Sequence, residues 1–199
     1  MEPHHYDRGM RLLERLSLER LRRGLLREAR GAVLELGTGT GANLPLYGRD
    51  VQVTAIDVRP GHLAAAGRKA RRAGMAATVV CANAQDLPYA DAAFDTVVGT
   101  LVFCSIDRPE AALAEVRRVL RPDGRLLLLE HVRGLTPWSR RLTDWLHPLW
   151  FALQGECRLN RETAATVAAA GFHLDHTASH GRGLLQIIRA TPIAEPHRP

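Results

Sequence analysis

The chain is poor in what disulfide, metal and membrane architectures need. Its 199 residues include 3 cysteines, Cys81, Cys104 and Cys157. Their spacing matches neither a zinc site nor the staples of a small secreted fold, so no metal is expected and a reducing cytoplasm is the expected compartment. No apolar run approaches the roughly 18 residues of a membrane helix. The opening Met1-Glu2-Pro3-His4-His5-Tyr6-Asp7 has neither the charged nor the apolar region of a secretory signal. Aromatic residues make up 5% of the chain, and the basic segment from Arg8 to Arg30 contains none on which a base could stack. There are no internal repeats and no interdomain linker.

Against those absences, 46% hydrophobic and 24% charged residues describe one globular domain with a full core. The most informative segment is Val33-Leu34-Glu35-Leu36-Gly37-Thr38-Gly39-Thr40-Gly41. Its apolar start reads as a strand buried on both faces, and three alternate glycines make a turn that lets a ligand lie against bare backbone. A second apolar run, Val53-Thr54-Ala55-Ile56-Asp57, ends in a carboxylate. In a doubly wound sheet that carboxylate lands beside the turn, where it can accept from two ribose hydroxyls. A dinucleotide turn would read G-x-G-x-x-G and face a pyrophosphate. Here the pattern is G-x-G-x-G, and Glu35 would repel a pyrophosphate but could hold a cationic amino group. The spacing therefore favours S-adenosylmethionine over NAD or FAD.

Strand and helix signals alternate, as in an α/β sheet. A short helix is expected over 42–48, then a strand over 51–57, a helix from Pro60 to Ala73 and a strand over 77–81. A fourth strand follows over 94–99, a helix over 109–120, a turn at Arg121-Pro122-Asp123-Gly124, and a leucine-rich central strand from Arg125 to His131. Residues 134–159 break the rhythm as an insertion over the carboxyl ends of the strands, carrying Trp138, Trp145 and Trp150. A helix over 160–170 and a closing hairpin pair over 172–178 and 184–190 complete the pattern. Residues 191–199 read as a disordered tail. The net charge of +6 is nearly all arginine and concentrates in residues 8–30. There Leu12, Leu16, Leu21 and Leu25 form a helical apolar stripe, and Glu14, Glu19 and Glu28 dilute the charge. That helix is read as a cap, residues 1–30, over the cofactor site, with weak contact to an anionic membrane surface or a nucleic acid as the rival readings.

These motifs together resemble the class I S-adenosylmethionine-dependent methyltransferases over nearly the whole chain. Added to Glu35–Gly41 and Asp57, Ala82-Asn83-Ala84-Gln85-Asp86-Leu87-Pro88-Tyr89 resembles the family's adenine-side loop. There Asn83 stands where an aspartate usually faces the adenine amino group, and Ala84 offers backbone. Phe94-Asp95-Thr96-Val97-Val98 resembles the fourth strand, and Leu120 to Gly124 the turn before the fifth. A finer resemblance runs from 98 to 163, through Val98–Ile106, Leu129-Glu130-His131-Val132 and Gly155–Thr163, to the animal thiol S-methyltransferases. Bacterial phospholipid-amine and quinone-precursor methyltransferases are related. The chain departs from the animal proteins in having no hydrophobic N-terminal anchor.

The resemblance implies a single-domain, seven-stranded Rossmann-like fold: cap 1–30, methyltransferase domain 31–190, tail 191–199. It implies a cofactor cleft built from Tyr6, Glu35, Gly37, Thr38, Gly39, Gly41, Asn43, Asp57, Val58, Asn83, Ala84, Gln85, Thr100, Leu101 and Ser105. Tyr6 would lie across the cofactor. Cys104, Trp138, Trp145 and Trp150 would shape an apolar substrate pocket. Methyl transfer is an in-line displacement, so positioning supplies much of the rate. A thiol of pKa roughly 8.5 needs only a modest base or a positive field. His131, at the carboxyl end of the fifth strand, is the histidine placed to act as that base, with a packed, backbone-bonded histidine as its other reading. Cys104 reads as a structural cysteine rather than a nucleophile. The expected acceptor is a small, fairly apolar thiol, with phospholipid ethanolamine or a quinone precursor as the alternative acceptors and a cofactor-binding, nucleic-acid-associated protein as the non-enzyme alternative; no nucleic acid and no obligate protein partner are expected.

Overall fold

A computed structural model describes residues 18–133, 141, 143, 145, 158 and 160–193. Helix α1 (Glu19–Leu26) leads into strand β1 (Ala32–Leu36), a 3-10 turn (Leu44–Leu46), β2 (Gln52–Asp57) and α2 (Pro60–Arg72). Then come β3 (Ala77–Cys81), β4 (Phe94–Thr100), α3 (Pro109–Val119) and β5 (Leu120–His131). Helix α4 (Thr163–Ala169) and strands β6 (Phe172–His180) and β7 (Leu185–Pro192) close the described chain. The seven strands form one sheet in the order β3-β2-β1-β4-β5-β7-β6. The first five run parallel, and β7 is antiparallel to both its neighbours. The strand order reverses between β1 and β4, so a crevice opens at their carboxyl ends, where α/β sheets bind ligands.

Continuous apolar strands need cover on both faces, and the alternation of side chains supplies two cores. Leu34, Val97, Leu126 and Leu128 pack with Phe103, Leu113, Val116 and Phe172 on one face. Val33, Val98, Leu127 and Leu129 pack with Leu25, Leu26 and Ala66 on the other. Helix α1 is thereby fixed to the sheet. The bidentate Arg189–Glu28 pair, at 2.6 and 2.7 Å, ties the chain just beyond it to β7.

Four expectations are corrected. The helix over 42–48 is only the 3-10 turn at Leu44–Leu46, because Gly41 enters at φ +77° and Tyr47 leaves extended. The turn at 121–124 is absorbed into β5. Phe94 pairs with Leu120 and Thr96 with Arg125, so Asp95 alone faces four residues that bow out of the ladder. Asp95 is more than a strand start: it accepts the Ala32 N–H at 2.8 Å and pairs with Arg121, and these hold its carboxyl below the usual range. Thr191 and Pro192, expected in a tail, belong to β7 because they pair with His173 and Phe172. The buried stripe of α1 is Leu18, Arg22, Leu25 and Leu26, with Leu21 only partly covered, so the helix is rotated from the leucine pattern. Among the described residues no helix is long and apolar enough to cross a membrane.

Candidate active site

The chain leaves β1 through Gly37, Gly39 and Gly41, all left-handed at φ +58°, +55° and +77°. A Cβ at Gly37 would strike Val102 Cγ2 at 2.3 Å, and one at Gly41 the Ala66 Cα at 2.9 Å. One at Gly39 would meet nothing within 4 Å. Gly39 is thus the bare rim of an open crevice, the geometry that lets a ligand approach the backbone. The carboxylate of Asp57 stands against it as the spacing predicts. Its Oδ2 accepts the Gly39 N–H at 2.9 Å and its Oδ1 the Arg59 N–H at 2.9 Å. Each oxygen keeps a lone-pair direction for a further donor. Val58, next to it, is 59% exposed, an apolar surface at the mouth of the crevice.

Beneath the turn lies a buried polar cluster. Glu35 is 1% exposed, and its Oε2 has no hydrogen-bond partner among the described residues, while the Thr38 and Tyr47 hydroxyls and Asn43 face its carboxyl. Burial pushes the Glu35 carboxyl up, while the Tyr47 and Thr38 hydroxyls, Arg22 and Asn43 pull it back without saturating it. Burial and the adjacent Glu35 hold the Tyr47 phenol well above its ordinary range. Orphaned buried acceptors are rare, and an ammonium placed here would satisfy one. Arg22 and Tyr47 were not foreseen. Arg22 reaches in from α1 and donates to Asn43 Oδ1 at 2.8 Å, while Asn43 Nδ2 donates to Thr100 Oγ1 at 2.9 Å. Asn43, expected to touch the cofactor, joins α1 to the end of β4.

On the adenine side, Asn83 Oδ1 accepts from the Gln85 backbone N–H at 3.0 Å and Gln85 Nε2 at 3.3 Å. Gln85 Oε1 in turn accepts from Arg108 N and Nε at 3.2 and 3.3 Å. An adenine amino group would have to share the Asn83 oxygen. Ala84 is buried beside it.

At the end of β4, Thr100 is buried and Leu101 sits at φ +56°. A branched non-glycine residue there is strained, a condition that persists only where surroundings enforce it. Glu130, fully buried in β5, accepts the N–H groups of Val102, Phe103 and Cys104 at 3.0, 3.1 and 3.3 Å. Cys104 is 1% exposed, with Sγ 3.7 Å from Ser105 Oγ, as a structural cysteine would be. His131 ends β5, half-buried, opposite Leu185. The Arg158 N–H donates to Cys104 O at 2.9 Å, its guanidinium pairs with Asp107 at 3.0 Å, and Arg161 donates to Ile106 O. Burial first, and then Arg158, pull the Arg161 pKa down, so positive charge is crowded beside the Cys104 loop. Trp145, expected in the pocket wall, is 76% exposed. Tyr6, Trp138, Trp150 and Cys157 lie outside the described residues.

Among the described residues no group of three or more His, Cys, Asp or Glu could hold a metal. A cavity of about 530 Å³ lined by Arg117, Arg118, Leu120 and Pro122 lies at the other end of the sheet. There the Arg118 guanidinium is already occupied by Glu115, Asp91 and two carbonyls.

With this geometry in place, comparison with known proteins is specific. A methyltransferase domain matches residues 34–128. The human thiol S-methyltransferase TMT1A is 37% identical over 145 residues, 71% of this chain and 59% of that protein. The phosphatidylethanolamine N-methyltransferase of Cereibacter sphaeroides is 37% identical over 103 residues, 51% of each chain. The chain thus spans about three-fifths of the length of the first relative and half of the second. A SAM-dependent methyltransferase from Aquifex aeolicus superposes with a TM-score of 0.65 at 22% identity, covering 88% of this chain and 89% of that one. The orphaned Glu35 oxygen, the open side of Gly39 and the placed Asp57 fit that family's cofactor, S-adenosylmethionine. The chain carries a methyltransferase domain over residues 34–128 and has the fold of the class I S-adenosylmethionine-dependent methyltransferases.

Proposed function

We propose that the protein transfers a methyl group to the thiol sulfur of a small, fairly apolar molecule. The observation that carries this reading is the composition of the acceptor side. A half-buried histidine ends β5, and the arginine pair Arg158 and Arg161 stands beside the Cys104 loop. A base and a positive field suit a group that ionises to an anion, as a thiol does. They disfavour an acceptor that arrives as an ammonium. The likeness to TMT1A points the same way.

Bound here, S-adenosylmethionine would supply an electrophilic methyl group for transfer to the acceptor sulfur. Glu35 would hold its amino group and Asp57 its ribose hydroxyls. His131 would take the thiol proton at an imidazole nitrogen, so the attacking sulfur is a thiolate. Proximity and orientation within this frame supply the larger share of the rate. The free thiols of Cys81 and Cys104 suit a reducing compartment, which we read as the cytoplasm.

The test is a methylation panel of aryl and alkyl thiols, ethanolamine lipids and phenols with the purified protein. Thiols should be methylated first and fastest. The alternative, ethanolamine lipid methylation, is favoured by the Cereibacter relative and by the exposed Arg20, Arg23 and Arg27 along α1, which could rest on anionic lipid. Inert thiols beside a methylated ethanolamine lipid would overturn the assignment. For the cofactor, Asp57→Ala should weaken S-adenosylhomocysteine binding by about 1–3 kcal/mol, read by calorimetry, because two ribose hydroxyls lose their acceptor. Unchanged affinity would remove Asp57 from the site.

A further inference from the structure

Glu130 has a geometry that the methyl-transfer reading leaves without a use. Its Oε1 takes two successive N–H groups, from Val102 and Phe103, and its Oε2 takes the next, from Cys104. Three consecutive amides cannot converge on one point from an extended strand. They do so here because Leu101, at φ +56°, turns the chain sharply out of β4. The captured segment is the backbone that carries Cys104 and Ser105 past the crevice, and Arg158 holds its far side through Cys104 O.

We propose that Glu130 is the positioning residue of the acceptor side, its carboxylate clamping the backbone of residues 102–104 into the wall against which the methyl acceptor lies. The clamp rests on the reading of the β4 end as the acceptor side. The chemistry demands a carboxylate: it offers two acceptor oxygens and no donor, matching three N–H groups. A glutamine would keep one acceptor for Val102 and Phe103 and turn an NH₂ toward the Cys104 N–H. An apolar residue would cost less to bury but would orphan three amides.

Burial pushes the Glu130 carboxyl up to about 7 even though all three N–H groups pull it down. The titratable group acting on it is His131, next along β5; the neighbours from other elements are the Cys104 thiol in the loop and the uncharged Gln186 across the ladder in β7. Two opposite pH dependences follow. A raised folded-state value means that the contribution of Glu130 to global stability is full below the unfolded value near 4.5 and is lost as pH rises through about 7. The clamp runs the other way: it is made above about 7 and loosened below, when the protonated oxygen accepts only weakly. A purely structural glutamate would lose both together.

Amide hydrogen exchange on the full chain with S-adenosylhomocysteine present reads both, with rates referred to the intrinsic rate at each pH. Between pH 8 and pH 6, protection of Val102, Phe103 and Cys104 should fall by roughly tenfold while that of Val33 to Leu36 holds or rises. Flat protection at 102–104 across this range would overturn the clamp. Glu130→Gln should lose the pH dependence, with the greatest loss at Cys104. With thiophenol as acceptor its KM should rise roughly tenfold while S-adenosylhomocysteine affinity stays within about twofold. A loosened loop with KM unchanged would overturn the acceptor role. If Glu130→Gln does not fold, the wild-type exchange series decides alone. If wild type leaves thiophenol unmethylated, the thiol reading falls, and the exchange series still judges the clamp.

Discussion

Replacing His131 by alanine is expected to lower turnover on a thiol at neutral pH by about 10²–10⁴, the usual range for losing a general base. The residue ends β5 beside the loop that Glu130 holds, so the loss should fall on proton removal rather than on binding. Two controls make that reading firm. S-adenosylhomocysteine affinity should match wild type, since His131 lies half-buried at the end of β5, away from Glu35 and Asp57. The defect should shrink as pH rises past the pKa of the thiol, because thiolate then forms without help. Running the series with thiols of different acidity sharpens the test, the more acidic thiol suffering least. If turnover survives the substitution at neutral pH, proximity and the arginine field carry the reaction and His131 is only a packed histidine. A defect equally deep at all pH values would point instead to a lost contact with the acceptor.

The parts of this molecule that could be read from sequence are those in which a local pattern has one physical meaning. Runs such as Val33–Leu36 and Leu126–Leu129 can only be strands covered on both faces, and they are. The alternate glycines and Asp57 were legible because a left-handed turn calls for glycine and a carboxylate at the next strand's end lands beside it. What stayed hidden is non-local. Arg22 interrupts a leucine-rich helix and resembles any other arginine of a basic segment, yet it is buried and bonded to Asn43, twenty-one positions away. Tyr47 has meaning only through Glu35. Glu130 lies inside the very motif that carries the family likeness, but its partners are amides 26–28 positions earlier. The signals that could have found these residues were slight: an arginine on the buried face of α1, and a carboxylate inside an otherwise apolar central strand. Where the pattern misled, backbone geometry overruled it. The turn at 121–124 bows out within β5, and the helix after Gly41 stops at one 3-10 turn because Tyr47 is extended.

Gly39→Val should abolish cofactor binding while the sheet stays folded, a loss of at least about 10²-fold in S-adenosylhomocysteine affinity. Two effects act together. A β-branched residue at φ +55° is strained, by about 1–2 kcal/mol from the left-handed conformation alone. The larger effect is space: the new Cβ meets no protein atom within 4 Å, so the side chain projects into the crevice, over the backbone where the ligand would lie. Gly39→Ala should show a smaller loss in the same direction. Gly37→Ala is the contrast. Its Cβ would sit 2.3 Å from Val102 Cγ2, in the segment clamped by Glu130, so the damage should appear as a lowered melting temperature and a loosened 102–104 loop. Calorimetry and thermal melting on the three variants separate these outcomes. If Gly39→Val binds S-adenosylhomocysteine within about twofold of wild type, the ligand does not cross the open side of the turn, and the placement of the cofactor between Glu35 and Asp57 must be abandoned.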